Sequence, residues 1–183
     1  MKESLMAVFE ILKTIFFVLI TAFLIRTFLF QPFVVDGNSM EPNMHTNQYL
    51  IVDKLSYRLK NPKRGEVVVF AAPDASGSDY IKRIIGLPGE SIKITNNKIL
   101  IDNKLLEEDY IPSNFQTYVA NNPDTTLEIK LGPEEYFVMG DNREHSHDSR
   151  IIGAIKINEI VGRAWLTLYP FNTIGKVFVP STN

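Results

Sequence analysis

Residues 14–25 (TIFFVLITAFLI) run for twelve positions without a charge; Arg26 interrupts, and TFLFQPFVV follows. A helix needs roughly 20 apolar residues to cross a bilayer. The segment reaches that length with Lys13 near one end and Arg26 near the other, where long basic side chains snorkel toward the head groups. Pro32 marks the expected exit from helix, because proline cannot continue the hydrogen-bond ladder. Two other readings compete. A cleaved leader would need a small-x-small site, and RTFLFQPF (26–33) has none. A buried helix of a soluble domain is the second. The reading adopted is a single transmembrane signal anchor within residues 1–33, with a short cytoplasmic N-terminus. Lys2 and Lys13 before the run against Arg26 after it favour the N-terminus inside and residues 34–183 outside the cell.

Those remaining residues are enough for a hydrophobic core of their own. The chain has no cysteine, which excludes disulfides, zinc–thiolate sites and cysteine nucleophiles. A formal net charge of −2 gives no basic field for nucleic acid. After Pro42 short apolar runs alternate with turns. YLIVDKL, EVVVFAAP, DYIKRIIGLPG, EYFVMGDN, AWLTLYP and KVFVP read as strands. SIKITNNKILIDNKLL alternates polar and apolar residues around Asn96-Asn97 and Asp102-Asn103, which predicts consecutive hairpins. No helical period recurs beyond the N-terminal segment. The fold class expected is mostly β, an antiparallel sheet domain behind one transmembrane helix. Residues 95–130 read as a hairpin-rich, partly mobile subregion, polar from 107 onward, with one strand near 126–131.

Four stretches hold polar groups that could carry chemistry. In VVDGNSMEPNM, Ser39 follows Gly37 by two positions, so in an extended chain both face one side and a second backbone can approach closely. Alone, this pattern is more often that of a turn residue. In DYIKRIIG, Lys82 shares a strand face with Tyr80 and Ile84, while Arg83 points the other way. A buried lysine loses part of its basicity and can serve as a general base near neutral pH; an edge lysine reaching solvent is the plain alternative. GDNREHSHDSR (140–150) packs Asp141, His145, Ser146, His147, Asp148 and Arg150 into eleven residues. A solvated loop, a His-x-His metal site and a Ser-His-Asp triad with Ser39 all remain open from these residues alone. Lys60, Lys63 and Arg64 before EVVVF read as a solvated turn, or as a contact to anionic lipid.

Together GNSMEPNM, YLIVDKLSY, RGEVVVF, DYIKRIIGLPGES and GDNREHSHDSR resemble, in this order, the type I signal peptidases, and the short length with one anchor resembles their Gram-positive bacterial form. The resemblance runs from about residue 5 to 170. It implies a serine/lysine dyad with Ser39 as nucleophile and Lys82 as general base. It implies that Ser146 hydrogen-bonds the lysine amine, that Asp141, Asp148 and Arg150 brace the site, and that Arg83 supplies an ion-pair partner. His145 and His147 become bystanders. Some members carry serine where this chain has Gly37, so the oxyanion hole here is expected from backbone N–H groups, that of Ser39 first. Substrate is expected to pair with backbone near Asp36, Gly37 and residues 79–81, with Val35, Met40, Met44, Tyr80 and Ile81 lining shallow pockets that reject large side chains. The implied partners are preprotein signal peptides, the lipid bilayer and the protein-export translocon, without cofactor, metal or nucleic acid. The alternatives are a protease for pilin or conjugation precursors, a self-cleaving repressor relative, an inactive anchored subunit of a secretion complex, and a metal hydrolase.

Overall fold

The computed structural model describes residues 2–73, 77–119 and 125–180. The helix α1 (Lys2–Phe28) contains one stretch, Met6–Phe28, long and apolar enough to cross a membrane, and none of that stretch is buried against the rest of the protein. Its 23 residues would span about 34 Å at 1.5 Å each. The helix ends earlier than Pro32 suggested. Leu29 N still bonds Ile25 O, and the chain then enters β1 (Phe30–Val34). Pro32 lies inside that strand, opposite Ile51, at the outer edge of the sheet. An edge strand tolerates proline because no ladder bond is lost on the outer side.

The main sheet is antiparallel throughout. Its strands are β1, β2 (Tyr49–Asp53), β3 (Val67–Ala71), β4 (Asp79–Gly86), β9 (Glu135–Met139), β10 (Ile155–Lys156), β11 (Ile160–Tyr169) and β12 (Gly175–Lys176). They run in the order β1-β2-β11-β3-β4-β9-β10, with β12 added to β11. The central position of β3 explains its unbroken VVVF: both faces are covered. Val67 and Val69 join Val35, Met40, Leu50 and Ile81 in one apolar cluster, while Val68 and Phe70 join Ile84, Tyr136 and Val138 in another.

A smaller sheet, ordered β7-β6-β5-β8, comprises β5 (Ser91–Thr95), β6 (Lys98–Ile101), β7 (Lys104–Leu105) and β8 (Leu127–Lys130). Its hairpins turn where expected. Asn96, Asn97, Asp102 and Asn103 all take positive φ, between 46° and 62° for the first three and 65° for the last. Two consecutive left-handed residues let a two-residue turn follow the twist of its strands. Ile92, Ile94, Ile99 and Ile101 pack this sheet on Phe137 and Met139 of β9, behind the loop 140–150.

Candidate active site

Ser39 stands on a turn held from below. Met40 and Met44 are fully or nearly fully buried, and Met44 N bonds Met40 O at 2.9 Å. Val35 bonds the backbone of Gln48 and Asn47, and Thr46 Oγ1 donates to Gly37 O at 2.9 Å. These anchors leave Ser39 half-buried at the protein surface. Gly37 has φ +98°, a left-handed conformation costly for any side chain. The segment therefore bends, and the extended geometry expected for 37–39 does not form.

Lys82 comes from β4, paired with Val68 of β3. It is buried, and its Nζ lies 2.8 Å from Ser39 Oγ and 3.0 Å from Ile81 O. The Tyr80 ring lies beneath the amine, 5.3 Å from Nζ to its centroid. Burial pushes the Lys82 amine down to about 8, although the Asp148 and Asp141 carboxylates pull the other way.

The loop 140–150 closes the site from behind. Arg83, on the other face of β4, grips Asp141 through two bonds of 2.8 and 2.7 Å, and both side chains are almost fully buried. Asn43 donates to the same carboxylate at 2.9 Å. Asp148 accepts from Gly140 N at 3.0 Å and from Arg150 through Nε and a second guanidinium nitrogen, each at 2.8 Å. Burial alone would raise the Asp148 pKa, but the Arg150 bonds outweigh it and hold the carboxyl below its ordinary range. The Ser39 segment is tied directly to this loop: Asn142 N donates to Ser39 O at 3.0 Å, and Asn142 Nδ2 to Asn38 O at 3.1 Å. Gly140 is required here, because a Cβ would collide with Ser39 O and the Ser146 side chain.

Ser146 differs from expectation. Its hydroxyl is buried without a hydrogen-bond partner among the described residues, near Asp148 but outside bonding geometry. The bond to Lys82 is not formed; Nζ spends its contacts on Ser39 and Ile81.

A cleft of about 500 Å³ runs from the Ser39–Lys82 pair. Phe33, Val34, Asp36, Gly37 and Asn38 form one wall and residues 78–82 the other, with His145 and His147 at the third side. Asp36, Gly37, Tyr80 and Ile81 line this cleft. Val35, Met40 and Met44 do not. They belong to the core cluster, because the turn that exposes Ser39 needs apolar anchors beneath it. Met44 instead borders a separate cavity with Arg83 and Gln48. Among the described residues, no group of three or more His, Asp or Glu side chains is arranged to hold a metal.

Several residues of this network were not singled out from sequence. Asn142 and Gly140 sit inside the quoted GDNR stretch, and their types are the only signal. Arg143 is buried against Glu108 and Thr117 and ties the segment after β7 to the loop 140–150. Asn43 reaches Tyr110 O at 2.7 Å as well as Asp141. Nothing local in the sequence joins positions that far apart.

Residues 8–169 match the family described as signal peptidase, peptidase S26. The chain belongs to this signal peptidase family. It is 38% identical over 176 residues to a signal peptidase I of Bacillus amyloliquefaciens, covering 93% of this chain and 92% of the relative. It is 35% identical over 175 residues to signal peptidase I S of Bacillus subtilis (strain 168), covering 93% and 94%. A probable signal peptidase I-2 of Synechocystis is 36% identical over 173 residues, covering 91% of this chain and 75% of its own length. As an S26 signal peptidase the chain is a serine endopeptidase.

Proposed function

We propose that this chain removes N-terminal signal peptides from secreted preproteins, cutting after small-x-small sites such as Ala-x-Ala, with Ser39 as nucleophile and Lys82 as general base. The observation that carries the reading is the 2.8 Å contact between Lys82 Nζ and Ser39 Oγ, made by a buried amine that titrates near 8. A neutral amine at that distance accepts the hydroxyl proton as Ser39 attacks the scissile carbonyl. The proton passes to the leaving amine, and the free enzyme amine then activates water to release the acyl group. The Ser39 N–H makes no backbone bond among the described residues, which suits it to the developing oxyanion. The orphaned Ser146 hydroxyl takes the third position around the Lys82 nitrogen when substrate seats the site.

An extended signal-peptide end lies between the Gly37 and residue 79–81 backbones, adding a strand to the cleft walls. Tyr80 and Ile81 leave shallow room beside Ser39, so a large side chain next to the scissile bond clashes. The helix α1 anchors the chain in the cell membrane, N-terminus inside, and sets the cleft at the outer surface where export substrates emerge from the translocon.

The test is cleavage of an Ala-x-Ala preprotein by the detergent-purified chain, with the product N-terminus sequenced. Wild type is expected to cut after the second alanine, and Ser39→Ala and Lys82→Ala to lose at least about 10³-fold. Activity retained by Lys82→Ala would remove the dyad. No cleavage by wild type in phospholipid would favour an inactive anchored subunit.

A further inference from the structure

His147 has no place in a serine/lysine dyad, yet the fold sets it on the catalytic cleft. Its ring meets Tyr80 at 6.3 Å between centroids and 85° between planes, an edge-to-face contact. Tyr80 is braced from the other side by Phe70 of β3, at 6.0 Å and 83°. The same Tyr80 ring lies under Lys82 Nζ. The three rings therefore form one chain of edge-to-face contacts, and the amine of the dyad rests against the middle one.

We propose that His147 is a positioning residue for the general base: it pins Tyr80 against Lys82 and so keeps water from the amine that takes the Ser39 proton. The inference rests on the dyad reading above. Phe70 is buried and holds one side of Tyr80 wherever the loop lies. His147 is exposed and comes from the loop 140–150, so it is the removable side of the clamp. Its loss removes the loop-side contact of the Tyr80 ring and opens this side of Nζ to solvent, which favours the charged form of the amine. The other titratable groups around Lys82 are unchanged by the substitution: Asp141, Asp148 and His145 from the loop, Asp36 from the Ser39 segment, and Asp79 and Arg83 on its own strand.

The test is the pH profile of kcat/KM for the full chain in phospholipid vesicles, with an Ala-x-Ala preprotein. Wild type, His147→Ala, His147→Phe, Tyr80→Leu, Tyr80→Leu/His147→Ala and Lys82→Ala are compared. Activity rises with pH as the base loses its proton. His147→Ala should move that limb upward by about 0.5 to 1 pH unit, a three- to tenfold deficit at pH 7 that shrinks as pH rises. His147→Phe, which keeps a ring edge against Tyr80 without the imidazole nitrogens, should return the limb toward wild type. The double variant should lie no higher than Tyr80→Leu alone, because both changes remove one contact. A limb that stays in place in His147→Ala, with Lys82→Ala inactive, overturns the inference and leaves the dyad standing. A uniform loss at all pH values, not restored by phenylalanine, overturns it in favour of direct substrate contact. Cleavage retained by Lys82→Ala overturns both.

Discussion

The Lys82 amine titrates near 8 instead of 10.5 because it is buried. Below pH 8 both the native and the unfolded chain carry its proton, and burying that charge costs on the order of 3 kcal/mol. Between 8 and 10.5 the unfolded chain holds a proton the native one has lost, so stability rises with pH and the cost fades. Lys82→Met should therefore melt higher than wild type at pH 7 and lose that advantage toward pH 10.5, while its peptidase activity disappears. Thermal denaturation across this range checks it; a lower melting point at pH 7 would mean that the contacts of the amine with Ser39 and Ile81 are worth more than its burial costs. Strand spacing put Lys82 on one face with Tyr80 and Ile84, but whether that face is covered or reaches solvent was decided by the fold. The need for glycine at 140 was not legible either, because the atoms it must avoid belong to Ser39 and Ser146.

Among the elements, the hairpins of the small sheet show how much local chemistry can specify. Asn103 has φ +65°, which a β-branched residue adopts only with strain. Asn103→Val should cost about 1–2 kcal/mol in urea unfolding, whereas Asn103→Gly should stay within a few tenths. Equal losses would place the effect in the side chain and not in the backbone. The two asparagine-containing turns were readable because a two-residue turn depends on its own residues. Strand β1 was hidden, since Pro32 reads as a helix stop and only the sheet shows that its outer side has no partner. The loop 140–150 likewise takes its form from partners outside it, Arg83 and the backbone of Ser39.

Over the whole molecule, α1 carries the apolar stretch long enough to cross a membrane and the β domain carries the Ser39–Lys82 pair. Leu19, near the middle of α1, is exposed, and none of Met6–Phe28 is buried against the rest of the protein. Leu19→Arg places a charge where insertion costs about 2.5–3.5 kcal/mol. It should shift the chain out of the vesicle fraction on flotation, and with it cleavage of membrane-borne preproteins. Unchanged flotation would mean that the β domain holds the membrane without the helix. The apolar helix, the hairpins and the order of the motifs were determined by the sequence itself, since each depends on neighbours along the chain. Tertiary structure alone decided that Val35, Met40 and Met44 are core and not cleft wall, that Ser146 stands apart from Lys82, and that His147 leans on Tyr80. It also set Ser39 beside Lys82 across 43 positions of sequence. Burial, close approach and the basicity of an amine depend on what the fold brings near in space, and residue order carries that only after the chain has packed.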